Sequence, residues 1–335
     1  MGKPPVRIGI NGFGRVGRCV FRIARERDDV TVVAVNDIAE PRALAYLLQY
    51  DTVQGKLDAK VRLEGDVLVV GEERCKLLSR GRPAEIPWGE LGVDVVVDST
   101  GLWKTRADLE GHLAAGAPRV ISTVAAADDL DAVVVLGAND KALTGDQRLV
   151  SSASCTTNCL APLAKVLQDT FGIEKALMTT VHAYTNDQRL AEVAGGDLRS
   201  SRAAAQNIIP TTTHATQAIA QVLPSLRGRI DGLAMRVPVP DGSTVDLVAE
   251  LQSEVTRDEV NEAVRRAAEG PLRGIIEYCT EPVVSSDIIG NPHSCIFDSE
   301  LTQVTGERLL RVVAWYDNEW GYSSRVVDLA ARMRA

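Results

Sequence analysis

The sequence contains no apolar run of the roughly 18 to 20 residues that a transmembrane helix needs. Its opening residues, Met-Gly-Lys-Pro-Pro, also lack the apolar core of a signal peptide. Basic residues nowhere form a long run, and aromatic residues, only 4 % of the chain, do not alternate with them. The usual sequence signatures of membrane and nucleic-acid binding are therefore missing. We expect neither a membrane nor a nucleic acid as a partner.

Cysteine occurs six times in 335 residues, which is too sparse for the disulfide framework of a small secreted domain. Cys155 and Cys159 are four residues apart, but no histidine or second cysteine pair completes a zinc pattern around them. We expect a reducing, cytoplasmic location and no bound metal.

Glycine, by contrast, is plentiful, and the chain is long enough for two domains or one large one. Three glycines in the spacing G-x-G-x-x-G follow an apolar strand predicted over 6–10: Gly12, Gly14 and Gly17. A helix is predicted over 18–27, and a second apolar strand over 30–35 ends shortly before Asp37. Strand, glycine turn, helix, strand and acid together form the fingerprint of a dinucleotide-binding fold.

Each part of this fingerprint has a physical role in binding a dinucleotide. Gly12 permits the tight turn, Gly14 lets the backbone approach the pyrophosphate, and Gly17 lets the helix pack closely on the sheet. The N-terminus of the helix then faces the phosphates. Asp37 would accept hydrogen bonds from the ribose hydroxyls, and its charge disfavours a 2′-phosphate. We therefore predict NAD, rather than NADP, as the cofactor.

Further strands complete a mostly parallel, Rossmann-type sheet in the first half. They are predicted as a hairpin over 61–63 and 67–70 and as buried strands over 93–97, 120–124 and 133–136. Because ligands bind outside the carboxyl ends of parallel strands, Thr100 and Thr123 are candidates for contacts to the adenosine half of the cofactor. The alternative is that both hydroxyls serve only strand-end hydrogen bonds.

The stretch Ser-Ala-Ser-Cys-Thr-Thr-Asn-Cys at 152–159 has Cys155 at its centre. Apolar residues with helical spacing follow it: Leu160, Leu163, Ala164 and Leu167. Ser154 is a typical helix-start residue, so Cys155 is predicted at a helix N-terminus, where the helix dipole favours ionisation of a thiol. We predict that Cys155 is a nucleophile. The alternative is a small, buried core residue.

A histidine and an arginine at strand positions are candidates for assisting this cysteine. A strand over 176–181 ends in His182, which beside a cysteine could hold it as a thiolate and exchange a proton with a substrate oxygen. The alternative for His182 is a core histidine with satisfied hydrogen bonds. Arg236 interrupts an otherwise apolar strand, and an arginine there should have an anionic partner.

The rest of the second half predicts an α+β domain with a mainly antiparallel sheet. An alternating strand over 243–252 is typical of a sheet with one packed face. Thr256 and Glu259 form a capping box for the next helix. A last buried strand is predicted over 309–315, with a terminal helix after it, whereas 184–210 is predicted to be a long functional loop.

Five segments of the chain resemble the phosphorylating glyceraldehyde-3-phosphate dehydrogenases, and the resemblance runs from Val6 to the last helix. They are the cysteine segment at 152–165, Asn-Gly-Phe-Gly-Arg at 11–15, Val-His-Ala-Tyr-Thr-Asn-Asp-Gln at 181–188, Met-Arg-Val-Pro at 235–238 and Trp-Tyr-Asp-Asn-Glu at 315–319. The resemblance implies an NAD-binding domain over 1–154, completed by a helix over 319–335, and a catalytic and oligomerisation domain over 155–318. It also implies a homotetramer.

The resemblance gives roles to individual residues, beginning with Cys155 and His182 as the catalytic pair. The phosphate of the sugar substrate is held by Thr185 and Arg236, and the attacking inorganic phosphate by Ser154, Thr156 and Thr213. Asn318 holds the nicotinamide carboxamide through its own amide, and Tyr322 flanks the same ring. Further contacts to NAD come from Asn11, Arg15, Val16 and Arg80. Arg199 and Arg202 are further candidate anion ligands. The alternative is that they lie on a solvated loop face or form an intersubunit ion pair.

The chain departs from the family pattern at several positions. His214 stands where relatives have glycine in Thr-Thr-Thr-Gly. We hypothesise that His214 reshapes or weakens the inorganic-phosphate site; the alternative is that its ring points away and nothing changes. The other departures are Ser152 in place of asparagine, Val193-Ala194 in place of a Leu-Pro pair, and Thr-Val-Ala from 123 in place of Ser-Ala-Pro.

The function that the resemblance implies is the oxidative phosphorylation of glyceraldehyde 3-phosphate. A Cys155 thiolate attacks the aldehyde, His182 takes the hydroxyl proton as hydride passes to NAD, and inorganic phosphate attacks the resulting thioester. One alternative is the related erythrose-4-phosphate dehydrogenase, in which water hydrolyses the thioester. Another is a non-catalytic, NAD-bound redox sensor that uses Cys155 as its oxidisable group.

Overall fold

The computed structural model describes residues 4–124, 129–186 and 188–334. Some predictions fall outside the described residues. They concern the two ends of the predicted NAD-binding domain (1–3 and 335), the alanine of the Thr-Val-Ala departure, and Asp187 of the 181–188 segment. The chain divides into two compact units. The first comprises Met1–Val134, Lys141–Ala153 and Ser323–Ala335, and the second comprises Val135–Asp140 and Ser154–Tyr322.

A nine-stranded sheet forms the centre of the first unit, in the order β3-β4-β5-β2-β1-β6-β7-β9-β8. Its strands are β1 (Val6–Asn11), β2 (Val30–Asn36), β3 (Val61–Glu64), β4 (Val67–Val70), β5 (Glu73–Leu78), β6 (Val95–Asp98), β7 (Arg119–Ser122), β8 (Ala132–Val133) and β9 (Leu149–Ser151). Its helices include α1 (Arg15–Ala24), α2 (Pro41–Gln49) and α3 (Arg106–Ala114). All strand pairs from β5 to β8 are parallel, whereas the β3–β4 hairpin and the β4–β5 pair are antiparallel.

Helix α1 begins three residues earlier than the predicted range of 18–27. The glycine turn is complete at Gly14, and Arg18 already donates its backbone N–H to the Gly14 carbonyl over 3.0 Å. The first helical turn therefore contains Gly17, because no extra loop residues separate the turn from the helix.

The strand predicted over 133–136 is mostly wrong. Only Ala132–Val133 pairs in the sheet, although the next three residues are buried as their apolar character demands. Val134 N–H still bonds to the Ser151 carbonyl, but Val135 N–H donates to the Asn139 side chain over 2.8 Å. This side chain replaces the next strand partner, so the chain turns out of the ladder.

The second unit contains a seven-stranded sheet in the order β11-β12-β10-β13-β16-β15-β14. Its strands are β10 (Ile173–Ala183), β11 (Ile209–Thr211), β12 (Ile230–Val237), β13 (Ser243–Leu251), β14 (Ile276–Cys279), β15 (Cys295–Thr305) and β16 (Leu309–Tyr316). Its helices are α4 (Cys155–Phe171), α5 (Ala215–Val222) and α6 (Arg257–Glu269), whereas α7 (Trp320–Arg332) belongs to the first unit from Ser323 onward. Antiparallel pairs predominate, and only β10–β12 and β14–β15 are parallel. The predicted fold class, a Rossmann-type domain with an α+β domain, is confirmed.

Local sequence rules explain much of the second unit. Strand β13 alternates between buried and half-buried residues along its whole length. The capping box of α6 is formed by Thr256 and Glu259, each bonding to the other's backbone N–H. The apolar stripe of α4, from Leu160 to Leu167, is fully buried. Among the described residues, no helix combines the length and the hydropathy that crossing a bilayer requires.

Candidate active site

The glycine turn after β1 has a shape that side chains would obstruct. Gly12 has a φ of +90°, and a Cβ there would lie 2.7 Å from the backbone nitrogen of Thr100. A Cβ on Gly17 would lie 2.2 Å from the carbonyl oxygen of Gly12. Glycine is therefore required at position 12 by its positive φ and by the segment that carries Thr100, and at position 17 by the close approach of α1 to the turn.

Gly14 differs from these two glycines because nothing lies within 4 Å of the place where its Cβ would be. It borders a cavity of about 270 Å³ at the carboxyl ends of the parallel strands, whose lining includes Asn11, Gly12, Asp37, Arg80 and Thr100. The open space beside the N-terminus of α1 lets a phosphate approach the backbone N–H groups directly. These residues thus fit a dinucleotide.

Asp37 is held in place by backbone donors. Its carboxylate oxygens accept hydrogen bonds from Phe13 N–H over 2.7 Å and from Ala39 N–H over 2.9 Å. Each oxygen has a second acceptor position, so the carboxylate can still accept from ribose hydroxyls. The bond to Phe13 fixes the acid to the glycine turn itself.

Beneath this cavity, a buried carboxylate connects several of the predicted cofactor contacts. Asp98, only 2 % exposed, accepts from Asn11 Nδ2 over 2.7 Å and from Thr100 Oγ1 over 2.8 Å. Asn11 Oδ1 in turn accepts from Asn36 Nδ2, and Asn36 Oδ1 accepts from Arg80 N–H. One acid therefore fixes groups from the ends of three neighbouring strands and from the loop that carries Arg80.

A histidine and a tryptophan complete the network around Asp98. Trp88 Nε1–H donates to His112 Nδ1 over 2.9 Å, and an indole nitrogen can only donate. His112 therefore carries its proton on Nε2, which lies 3.0 Å from Asp98 Oδ2. All three side chains are buried, so the hydrogen bonds act in a low-dielectric interior.

Three of the remaining predicted cofactor contacts of the first unit already have partners within the protein. Thr100 and Thr123 make the strand-end hydrogen bonds of the alternative interpretation, to the Asp98 carboxylate and the Asp98 carbonyl respectively. Arg15 forms an ion pair with the buried Asp51, and Val16 is half-buried in the first turn of α1. The threonine oxygens still have lone pairs, but their protons are engaged.

In the second unit, the structure brings Cys155 and His182 together. Helix α4 begins at Cys155, and Ser154 caps it by accepting from Thr157 N–H over 3.1 Å. His182 lies near the end of β10, and its Nε2 is 3.4 Å from Cys155 Sγ. The ring of Tyr316 packs edge-on against the imidazole with centroids 5.9 Å apart. The pair therefore belongs to a helix start and a strand rather than to loops.

The other ring nitrogen of His182 has two neighbours with opposite requirements. Nδ1 lies 2.7 Å from the Ala183 carbonyl oxygen, which only accepts, and 2.6 Å from Arg236 Nη1, which only donates. A proton on Nδ1 suits Ala183 and leaves Nε2 as the acceptor facing the sulfur. A proton on Nε2 suits Arg236 and makes the ring a donor to the sulfur.

The ionisation of Cys155 differs from the expectation based on the helix start. Burial raises the pKa of the Cys155 thiol, and the charge of Arg236 and the N–H of Thr156 only partly oppose this effect. The sequence cannot reveal such burial, which is the dominant cause here. Transfer of the thiol proton to Nε2 nevertheless produces two opposite charges in contact, so desolvation opposes it less than loss of the proton to water.

Arg236 lies on β12, beside His182 in the parallel pairing of β10 and β12. Its guanidinium contacts His182 Nδ1 and, over 3.2 Å, the Ala183 carbonyl. Within the described part of the chain, no carboxylate pairs with it, so the predicted anionic partner is not supplied by these residues. The cation is available for an anionic ligand.

The predicted phosphate ligands are only partly arranged for that task. Thr156 is buried, and its hydroxyl lies 2.9 Å from Tyr316 OH. Thr213 Oγ1 accepts from Ala215 N–H, and Thr185 N–H donates to Gln188 Oε1. The side chain of Thr156 therefore faces the interior, where it fixes the first turn of α4.

The loop cations and His214 are exposed. Arg202 pairs with Glu192 at 2.8 Å, an exposed ion pair as in the alternative interpretation, and Arg199 is solvent-exposed. His214 precedes α5 with an ordinary φ of −87°, and its ring lies 3.4 Å from Gln217 Oε1. The backbone of His214 can therefore present its N–H much as another residue would.

Asn318 is oriented by a serine that the sequence did not point to. Ala183 N–H donates to Ser243 Oγ over 3.0 Å, so the one hydroxyl proton of Ser243 goes to Asn318 Oδ1 over 2.7 Å. With Oδ1 accepting from Ser243, Nδ2 remains as the donor branch of the amide. Tyr322, in the first turn of α7, is buried.

The functional residues missed by sequence reasoning are those that orient others. They are Trp88, Asp98, His112, Ser243 and Tyr316. The sequence did contain a signal for Asp98, which is an acid at the end of a buried strand. The carboxyl ends of parallel strands form the ligand-binding edge of such a sheet. The others act on partners far along the chain. Among the described residues, no group of three or more potential ligands could hold a metal ion.

Comparisons with known proteins give a consistent result over nearly the whole chain. A family model described as "Glyceraldehyde 3-phosphate dehydrogenase, NAD binding domain" matches residues 6–106, and one described as "Glyceraldehyde 3-phosphate dehydrogenase, C-terminal domain" matches 154–318. The glyceraldehyde-3-phosphate dehydrogenase of Streptomyces coelicolor is 54 % identical over 327 residues, and that of Mycobacterium tuberculosis is 54 % identical over 331 residues. Each alignment covers 97 % of this chain and 97 % of the relative.

The Asp98 network predicts a selective effect on dinucleotide binding. Asp98→Asn replaces an acceptor oxygen by a donor that faces other donors, so we expect the Kd and KM for NAD to rise about tenfold. The KM for the second substrate should change little. Fluorescence titration with NAD gives the Kd, and steady-state kinetics give both KM values.

Asp94→Asn is a matched control, because Asp94 lies in the same unit but its bond to Arg7 N–H is exposed. Asp98→Asn binding NAD as tightly as Asp94→Asn, with both variants folded, would contradict a role for the network.

Proposed function

The chain belongs to the glyceraldehyde 3-phosphate dehydrogenase family, and on that premise we propose that it converts D-glyceraldehyde 3-phosphate, NAD and inorganic phosphate to 1,3-bisphosphoglycerate. The observation that carries the proposal is the 3.4 Å contact between Cys155 Sγ at a helix start and His182 Nε2 on the adjoining strand. This contact and Arg236, which has no carboxylate partner among the described residues, argue against a redox sensor. A sensor needs neither a base beside the cysteine nor a cation free to bind a substrate anion.

Cys155 and His182 account for the proton and bond changes of the first half-reaction. With Nδ1–H bonded to Ala183, Nε2 takes the thiol proton, and the thiolate attacks the aldehyde carbon to form a thiohemiacetal. The ring passes its proton to the developing oxyanion and later takes the hydroxyl proton back as base. Bound NAD supplies the hydride acceptor that turns the thiohemiacetal into a thioester.

In the second half-reaction, inorganic phosphate attacks the thioester carbonyl. The carbon–sulfur bond breaks, Cys155 leaves as a thiolate, and the product is an acyl phosphate. Sulfur suits both halves because it is a strong nucleophile and a good leaving group. The thiolate that leaves is again adjacent to Nε2 of His182, so the pair is ready for another turnover.

Through Arg236, a bound sugar phosphate can affect which nitrogen of His182 carries the proton. A phosphate that engages the guanidinium draws its Nη1–H away from His182 Nδ1, since Arg236 now donates to a stronger, anionic acceptor. Nδ1 is then left to donate to Ala183, which is the tautomer in which Nε2 can act as base. Occupation of the anion site and readiness of the catalytic ring are thus linked.

We extend the proposal to a cytoplasmic homotetramer. Large apolar side chains are exposed in the 184–210 segment, with Leu190 at 87 % and Leu198 at 83 %, and on β10, with Leu177 at 68 %. Exposed apolar groups of this size support burial against further copies of the chain. All six cysteines are free, which supports a reducing location.

Replacing the nucleophile should separate chemistry from cofactor binding. Cys155→Ser should lower kcat for glyceraldehyde 3-phosphate by about 10³-fold or more, because a serine hydroxyl is a far weaker nucleophile at neutral pH. NAD binding should remain measurable. NADH absorbance reports turnover, and Cys279→Ser, at a buried cysteine of the same unit, serves as the control. Activity of Cys155→Ser equal to this control would rule out the assignment.

The His214 hypothesis is tested through phosphate. His214→Gly removes the ring but keeps the backbone N–H, so we expect a several-fold lower KM for inorganic phosphate and an unchanged KM for the aldehyde. Gln217→Ala removes only the partner of the ring and is the control. An unchanged KM for phosphate would show that the ring points away. The same assay with erythrose 4-phosphate, with and without phosphate, distinguishes the related activity.

The assembly proposal predicts the mass in solution. Light scattering should give four times the 36.0 kDa of one chain. Leu198→Asp should shift the protein to smaller species, because a charge would have to be buried at the interface. Val284→Asp, at an exposed site outside the 184–210 segment, should not. A monomer at micromolar concentration would refute the assembly.

A further inference from the structure

Two buried aspartates lie beside the residue proposed to hold the nicotinamide amide. Asp317 directly precedes Asn318, and Asp241 belongs to the turn between β12 and β13; each is only 1 % exposed. Neither enters the mechanism above. Two negative charges in contact and away from water repel each other strongly. One of the two acids is therefore expected to hold a proton.

Asp317 is an acceptor on both oxygens. Oδ1 accepts from Glu319 N–H over 2.8 Å and Trp320 N–H over 2.6 Å, and Oδ2 accepts from Gly290 N–H over 2.8 Å. The carboxylate thereby caps the start of α7 and ties it to the segment that carries Gly290. Three backbone donors favour the charged form of this side chain, so a proton shared between the two acids is better placed on its neighbour.

Asp241 is therefore the partner that carries the proton. It accepts from Gly242 N–H over 2.9 Å and hydrogen-bonds to Asp317. Burial, with the charges of Asp317 and Glu319 adding to it, raises the pKa of Asp241 to about 9. Both of these charged neighbours are acidic. A third acid, Asp287, lies in the segment packed on Gly242 and accepts a hydrogen bond from Val284 N–H.

The turn that carries Asp241 is rigid and leads directly to the serine that orients Asn318. Gly242 has a φ of +83°, and a Cβ there would lie 2.1 Å from the Ser285 carbonyl oxygen. Ser243 follows and donates to Asn318 Oδ1. Asp241 and Ser243, on either side of Gly242, thus bond to the adjacent residues Asp317 and Asn318.

We propose that Asp241, in its protonated form, is a positioning residue for Asn318: its proton, donated to Asp317, locks the 317–320 turn in the conformation in which Asn318 presents its amide to the nicotinamide. The inference rests on the proposed function only in taking Asn318 as a cofactor contact. Loss of this proton at alkaline pH places two carboxylates in contact, frees the turn and weakens NAD binding.

The pH dependence has a definite sign. The folded protein keeps a proton on Asp241 that the unfolded chain has already lost above its ordinary pKa. Stability therefore falls as pH rises from that value towards the raised folded value. In Asp241→Asn, the amide donates an N–H to Asp317 without taking up a proton. The fall in folding stability with rising pH that Asp241 causes should therefore disappear. Asp241→Ala offers no donor at any pH.

The test combines melting temperature and NAD titration between about pH 6 and pH 10, the window below and above the raised pKa. We expect Asp241→Asn to melt at a higher temperature than the wild type at pH 8. Its NAD affinity should stay level up to pH 10, where the wild-type affinity falls at least about threefold. Asp241→Ala should bind NAD weakly throughout, so that asparagine, but not alanine, rescues binding.

Asp287→Asn is the matched control, since it removes another acid of the same unit and should keep the wild-type pH profile. Equal pH profiles for wild type and Asp241→Asn would overturn the proposal, as would equal NAD affinities for the asparagine and alanine variants. If neither variant folds, infrared spectra of the wild type decide. A protonated carboxyl band at neutral pH supports the proposal, and its absence contradicts it. None of these measurements requires turnover, so their failure is distinct from failure of the proposed reaction.

Discussion

The contact between Cys155 Sγ and His182 Nε2 is the constraint on which the proposed active site of the second unit depends. It exists because α4 begins at residue 155 and β10 continues through residue 182, so both groups are carried by regular backbone. Tyr316 strengthens the arrangement, since its hydroxyl contacts Thr156 Oγ1 at 2.9 Å and Thr180 Oγ1 at 2.8 Å. One buried phenol thus connects the first turn of the helix to the strand of the histidine, which keeps the two reacting groups in register.

In each unit, the residues predicted to contact the cofactor are positioned by a buried acid that accepts hydrogen bonds from separate segments. Asp98 does this in the first unit and Asp317 in the second. A buried carboxylate is unfavourable unless its hydrogen bonds are satisfied. Once satisfied, it holds several chain segments at fixed distances, because moving any one of them exposes an unpaired charge to a low-dielectric interior. Such rigidity is useful where loops must meet a flexible dinucleotide in one conformation.

Sequence reasoning succeeded where a local rule decides the outcome. The steric need for Gly17, the cap at Ser154 and the alternation of β13 each depend on neighbours within a few residues. It failed at 133–136, where an asparagine side chain replaces a strand partner, and it missed Asp98 and Ser243. The bonds of these two span 87 residues to Asn11 and 75 residues to Asn318, so only the folded chain reveals them. The ionisation of Cys155 was misjudged for the same reason, because the helix start is local whereas burial is a property of the whole unit.

Arg236 shows how an unmet expectation can carry information. The sequence predicts an anionic partner for a cation on an apolar strand, yet the described residues offer it only a ring nitrogen and a carbonyl oxygen. A guanidinium gains most from paired donation to an anion, which neither neighbour provides. The missing partner therefore has the chemistry of a phosphate or carboxylate that arrives with a ligand. Because Arg236 also competes with Ala183 for Nδ1 of His182, binding of an anion at Arg236 would change which ring nitrogen of His182 carries the proton.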